Sequence, residues 1–259
     1  HPKPFRHLFG KQSNTPNSGG QVGDSADVRV AGVALTGSME TAHVINRALA
    51  ARDAPIAAFI AETGGQNAML VDSSALPQQV VQDVIRSAFH SAGQRCSALR
   101  VLFVQEDIAD ELVAMLVGAM RELRTGDPAD LATDIGPVID EEARARLQGH
   151  VDYMREAGTL LYVCDTGELP EGSFFAPRLY QIDGIERLRQ EVFGPIVHIV
   201  RYHNSEVETL AARINATGFG LTFGVHSRIE DTVETLAAGV EAGNIYVNRN
   251  IIGAVVGVQ

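Results

Sequence analysis

Residues 28–49 read VRVAGVALTGSMETAHVINRAL. The first nine residues are an apolar run that ends at Thr36. Gly37-Ser38 then makes a turn, and Met39, Ala42, Ile45, Ala48 and Leu49 recur at helical spacing. This is a strand, a tight turn and a helix. The same alternation continues downstream: an apolar run at 56–61, a Gly64-Gly65 turn, a short run at 68–71, and a helix from about Leu76. Leu76, Val80, Val81, Val84, Ile85, Ala88 and Phe89 share one face of that helix, with Pro77 in its first turn and Gly93 as its expected end. LRVLFV, residues 99–104, predicts a buried strand. Asp107 is expected to cap a helix carrying Ile108, Leu112, Met115, Ala119 and Leu123, closed by Gly126. Asp140 opens another, and Ser205–Glu208 and Ser227–Glu230 have the form of capping boxes after apolar runs. Strands alternating with helices predict an α/β protein with largely parallel sheets, and the Gly64-Gly65 turn is the candidate domain junction.

The bulk composition fits that class. The 259 residues are 45% hydrophobic and 20% charged, enough apolar content for one large core or two domains. The net charge of −11 comes without any basic cluster, so no nucleic-acid partner is expected. Cys96 and Cys164 form neither a metal-ligand spacing nor a disulfide framework, the eight histidines make no metal motif, and no run reaches membrane-spanning length. A cytoplasmic protein with free thiols and no metal is the expectation. Residues 1–27 are rich in Pro, Gly, Ser and Asn and read as a lead-in. The chain opens on His1 and closes on the apolar IIGAVVGVQ, so a piece of a longer chain is expected.

Four short stretches carry candidate chemistry. Cys96 in SAGQRCSALR, residues 91–100, lies between Arg95 and Ser97, a polar setting that suits a reactive thiol. The alternative is a packed structural thiol, which is the better reading of Cys164. Glu62 ends an apolar run before TGG, where a carboxylate at the carboxyl end of a strand is placed to act as a general base, or is an ordinary turn acid. Thr36-Gly37-Ser38 joins strand to helix, where backbone amides attract phosphate, or is a plain capped turn. EVFGP, residues 191–195, sets an acid and a ring before a strand; a carboxylate binds ribose hydroxyls and a ring packs on a heterocycle, unless the segment is simply a hydrophobic turn.

Taken together, LTGS (35–38), ETGGQNA (62–68), GQRCSA (93–98) and EVFGP (191–195) resemble the aldehyde dehydrogenase superfamily in sequence, order and spacing. Within it, the run from Asp72 to Val101 and the closing YVNRNIIGAVVGVQ look most like the L-glutamate γ-semialdehyde (1-pyrroline-5-carboxylate) dehydrogenase module of bifunctional proline utilization A proteins. The resemblance covers about the C-terminal half of such a domain. It implies an aldehyde dehydrogenase-like fold with a remnant of a Rossmann-type NAD-binding domain at 28–63 and an α/β catalytic domain at 64–259, truncated at its C-terminal end.

By the same resemblance Cys96 is the nucleophile, its backbone N–H part of the oxyanion hole, and Glu62 the base for thioester hydrolysis. Thr36, Gly37, Ser38, Glu191 and Phe193 would bind NAD, and Arg95 and Ser97 would contact a small aldehyde substrate. A homo-oligomer, possibly fused to a proline dehydrogenase domain, is implied as well. The family's upstream asparagine and lysine and its downstream glycine-rich loop find no match here, so the segment alone is expected to be inactive. Rival readings are an aldehyde dehydrogenase for another aldehyde, a cysteine hydrolase pairing Cys96 with His90, and a non-catalytic remnant.

Overall fold

The computed structural model describes residues 25–169 and 171–254. Most of the 1–27 lead-in and the last five residues of the closing run therefore lie outside the described residues. The chain forms two compact units that divide between Gly64 and Gly65.

In the first unit, β1 (Gly32–Thr36), α1 (Met39–Ala50) and β2 (Ala58–Glu62) make one βαβ motif, with β1 and β2 paired in parallel. The strand starts later than the apolar run because Asp27 grips Arg29 (Nε to Oδ1, 3.0 Å) and turns the chain before it can extend. Ser38 caps α1, its hydroxyl accepting from the Thr41 N–H at 3.1 Å.

The second unit holds a seven-stranded sheet in the order β5-β6-β7-β4-β3-β8-β9. Its strands are β3 (Ala68–Val71), β4 (Val101–Gln105), β5 (Thr159–Val163), β6 (Arg178–Gln181), β7 (Ile196–Tyr202), β8 (Thr222–His226) and β9 (Asn244–Val247). All neighbours run parallel except the β5–β6 edge pair. The helices are α2 (Pro77–Phe89), α3 (Glu106–Arg121), α4 (Glu141–Ala157), α5 (Val207–Asn215) and α6 (Glu230–Gly239). Continuous apolar runs such as Ala68–Val71 and Val101–Val104 are wholly buried, as central strands of a covered parallel sheet require.

Several helix ends differ from the sequence reading. α2 stops at Phe89, and Ser91, Ala92 and Gly93 follow in left-handed backbone, with φ of 56°, 53° and 65°. Two of these residues are not glycine, so the turn before Cys96 holds conformational strain of about 1–2 kcal/mol per residue. Gly93 is obligatory: a Cβ there would lie 2.3 Å from the Gly194 carbonyl oxygen. Asp107 sits in the first turn of α3 rather than at its cap, because Gln105 Nε2 donates to its carboxylate at 2.6 Å. That helix ends at Arg121 instead of running on to Gly126. The box before α5 is built on His203, whose N–H donates to Glu206 at 2.7 Å, instead of on Ser205. Ser227 is claimed by the buried Asp72 carboxylate, which leaves Ile229 as the cap of α6. Asp140 does cap α4, accepting from the Ala143 N–H at 2.7 Å.

A histidine pair joins α4 to the sheet. His198 of β7 is fully buried and its Nδ1 lies 3.0 Å from the Arg100 carbonyl, which only accepts; Nδ1 therefore carries the proton. Its Nε2 must then accept from His150 Nε2, at 2.8 Å. Burial holds both rings neutral, pushing His150 down to about 4 and His198 to about 3. Unfolded imidazoles take up protons near 6.5, so the unfolded state binds more protons between these limits and stability falls as pH drops from 6.5 toward 4. Replacing His150 by glutamine, which keeps an N–H donor, is expected to recover about 3 kcal/mol of that acid loss. Urea midpoints measured down the pH scale check it; an unchanged acid slope would refute the buried-neutral pair.

Candidate active site

In the first unit the carboxyl ends of the parallel pair bring two candidate groups together. Thr36 and Glu62 are register partners, and the Gly37 N–H donates to the Glu62 carbonyl at 3.0 Å. The Thr36–Ser38 turn is exposed at the amino end of α1, where the helix dipole and the first-turn N–H groups favour an anion. The Glu62 side chain is exposed at the same edge.

In the second unit the candidate groups gather at the amino edge of the sheet. The carboxyl edge is filled by a polar network: Asp72 accepts from Ser227 Oγ and from Ser74 Oγ (2.6 Å), Gln105 accepts from the Ser73 N–H (2.9 Å), and Asn248 Oδ1 accepts from the Ser227 N–H (3.0 Å). At the amino edge, Asn67, Arg100 and Thr222 stand at or next to the first paired residues of three adjacent strands, and His198, the third residue of β7, pairs with Val101 at the start of β4. Cys96 lies in the exposed loop between the left-handed turn and β4.

Two residues the sequence reading assigned no role hold that loop. Asn67 is 2% exposed; its amide donates to the carbonyls of Cys96 (2.6 Å) and Ala98 (2.9 Å), while its oxygen accepts from the Thr222 N–H (3.1 Å). The Cys96 loop is thereby tied to β3 and β8. Arg100, 1% exposed, reaches the other way. Its Nη1 donates to Gly93 O (2.7 Å) and Gly194 O (3.2 Å), and its Nη2 to Arg95 O (3.1 Å) and Glu191 Oε1 (3.1 Å). A buried arginine beside a cysteine loop was the available signal in the sequence, since such a charge must be paired to be buried at all.

The remaining candidates fall around these two. Glu191 is half-buried, and burial raises its carboxyl pKa against the lowering pull of Arg100 and of the Gly65 N–H. Phe193 is exposed, with the Arg100 guanidinium 5.3 Å from its ring centre. Arg95 turns its side chain to Ser91 Oγ at 3.3 Å, and the Ser97 carbonyl accepts from Thr222 Oγ1 at 3.5 Å. Cys164 is buried, donates to the Met120 carbonyl, and burial pushes its thiol up to about 11, which makes it unreactive. No cluster of three or more metal-ligating side chains occurs among the described residues, and no helix among them is long and apolar enough to cross a membrane.

Known proteins carry the same pattern. The aldehyde dehydrogenase family model matches residues 16–258. The chain is 50% identical over 255 residues to the bifunctional protein PutA of Klebsiella aerogenes, covering 94% of this chain and 19% of that protein. It is 33% identical over 251 residues to the 1-pyrroline-5-carboxylate dehydrogenase of Geobacillus kaustophilus, covering 94% of this chain and 48% of that one. Among solved structures, a 1-pyrroline-5-carboxylate dehydrogenase from Thermus with bound NAD matches with a TM-score of 0.82 at 30% identity, over 91% of this chain and 46% of that one. The chain thus spans about a fifth of the bifunctional relative and about half of the 1-pyrroline-5-carboxylate dehydrogenases.

Proposed function

Because the chain belongs to the aldehyde dehydrogenase family, we propose that the protein carrying it oxidises L-glutamate γ-semialdehyde to L-glutamate, with NAD as the cofactor. The observation that carries this reading is the exposed Cys96, held in a strained loop by Asn67 and Arg100, in a chain half identical to a bifunctional PutA. The two named kinds of relative, bifunctional proline utilization A and 1-pyrroline-5-carboxylate dehydrogenase, both support an aldehyde of proline breakdown as substrate. A proline dehydrogenase domain elsewhere in the same protein, and a homo-oligomeric assembly, belong to the same proposal.

Each unit, taken by itself, offers groups that suit a part of a dinucleotide. In the first, the exposed Thr36–Ser38 turn at the head of α1 suits a pyrophosphate; in the second, a half-buried carboxylate at Glu191 suits a ribose diol, and the exposed Phe193 ring offers a flat neighbour. NAD, when bound, would supply the acceptor for the hydride lost by the substrate carbon.

The chain's own residues do the rest. Cys96, as thiolate, attacks the aldehyde carbon and forms a C–S bond, giving a thiohemiacetal whose oxyanion is met by the Cys96 N–H. Oxidation of that carbon leaves a thioester on Cys96. Glu62 then takes a proton from water as the water attacks the thioester carbonyl; the C–S bond breaks, the carboxylate leaves and the thiolate is restored. Arg95 and Ser97, flanking the nucleophile, are the proposed contacts to the substrate. The test is a comparison of kcat/KM for glutamate γ-semialdehyde and for a simple aliphatic aldehyde in the full-length protein. A preference of about tenfold or more for the semialdehyde is expected, the discrimination a dedicated polar site provides; preference for the aliphatic compound would overturn the substrate assignment.

A further inference from the structure

Arg100 is the largest of the fully buried side chains among the described residues. Taking a guanidinium out of water is costly, so its surroundings must repay it with acceptors. All four of its acceptors come from two short loops: Gly93 O and Arg95 O on one, Glu191 Oε1 and Gly194 O on the other. The first loop presents Cys96, and the second presents Glu191 and Phe193. The arginine's own backbone is fixed in the sheet edge, its N–H donating to Asn67 O at 3.0 Å and its carbonyl accepting from the His198 N–H and Nδ1, each at 3.0 Å. The fork therefore projects from backbone tied into the sheet edge, and its two Nη groups carry all the bonds, since Nε is buried without a partner among the described residues.

From this geometry we infer that Arg100 is the positioning residue of the site: one buried guanidinium sets the spacing of the Cys96 loop and the acid–aromatic loop. The inference rests on the reading of Cys96 as nucleophile and Glu191 as ribose-binding acid. It goes beyond that reading by coupling the two. The Glu191 carboxylate favours the charged guanidinium, which burial alone would disfavour. A ligand that draws the Glu191 carboxylate toward itself pulls on the fork that holds the carbonyls of Gly93 and Arg95, so cofactor binding and placement of the Cys96 loop act through the same side chain. Lysine cannot replace it, since a single ammonium cannot donate to two loops in the planar pattern of a guanidinium.

The experiment uses the full-length protein and reads the thiol directly. Second-order rates of Cys96 alkylation by iodoacetamide are measured across about pH 6 to 10, with and without NAD, alongside NAD binding by calorimetry. In the wild type, NAD is expected to change the alkylation rate across this range. Arg100→Met is expected to weaken NAD binding by about tenfold or more, the scale of a lost hydrogen bond to a charged group, and to lose the effect of saturating NAD on alkylation. Arg100→Lys is expected to restore little of either. Wild-type NAD affinity and a wild-type NAD effect in a folded Arg100→Met protein would overturn the inference. If that variant does not fold, Glu191→Gln decides: with the charged acceptor on the fork neutralised, the effect of NAD on alkylation is expected to shrink, and an unchanged effect overturns the coupling. In the wild-type protein, aldehyde oxidation should be lost in step with alkylation. If it is not, the nucleophile assignment fails first and the inference falls with it, whatever the Arg100 variants do.

Discussion

Full-length protein with Cys96 replaced by alanine is expected to lose aldehyde oxidation by roughly 10⁴-fold or more, the scale on which removing a covalent nucleophile acts, and to give no burst of NADH. Only the thiolate can form the C–S bond from which oxidation proceeds, and no neighbouring group is equipped to take its place. Ser97 is the adjacent hydroxyl, but an unactivated alcohol is a far weaker nucleophile than a thiolate. Cys164 is buried and kept protonated. Folding should survive the change, because the Cys96 side chain is exposed and the loop is held through its backbone by Asn67; a melting temperature near wild type is the control. Cys164→Ala makes the contrast: it empties a buried site and should lower stability while leaving the burst intact. A burst that persists in Cys96→Ala and disappears in Cys164→Ala would reverse the assignment of the two thiols.

The alternation of strands and helices was legible from Val28 onward because the strands are continuous apolar runs, wholly buried in the centre of the second unit's sheet though not in the first unit, and the helices between them are amphipathic. What escaped the sequence was decided by side chains with two possible partners. Ser227 has the spacing of a cap, yet Asp72, distant in sequence, claims its hydroxyl. Asp107 has the same look, yet Gln105 occupies its carboxylate. Gly93 was read as the end of α2, which stops at Phe89, and the requirement for glycine at 93 is tertiary: the Gly194 carbonyl approaches so closely that no Cβ fits. Local pattern cannot see a competitor that only folding delivers.

The candidate site divides in the same way. Cys96, Glu62 and the acid–aromatic loop stand out as polar residues in unusual local settings, whereas Asn67 and Arg100 do their work through backbone carbonyls of distant segments, and no spacing rule encodes that. The carboxyl-edge rule for parallel sheets serves the first unit, where Thr36, Gly37 and Glu62 meet at the ends of β1 and β2. It fails in the second, because Asp72, Gln105, Ser227 and Asn248 satisfy one another at that edge, while the candidate groups gather at the amino edge. Buried polar groups must be satisfied somewhere. Which edge they close is a property of the assembled sheet.

Glu62→Gln should separate the two halves of the chemistry. Glutamine matches the carboxylate in shape, and the strand end is held through backbone, with Thr36 in register and the Gly37 N–H on the Glu62 carbonyl, so the fold of that edge should be unaffected. The variant loses only the ability to take a proton from water. Carbon–sulfur bond formation and oxidation need no such base once Cys96 is a thiolate, so a pre-steady-state burst of NADH should persist at near wild-type amplitude. Release of the acid requires water to be activated, and steady-state turnover should fall by about 10²–10⁴-fold, the range of a general base. Mass spectrometry of the quenched variant should then find the acyl group on Cys96, and hydroxylamine, a nucleophile that needs no base, should release it. Loss of the burst together with turnover would place Glu62 in thiol activation instead, while turnover at the wild-type rate would exclude it from the reaction.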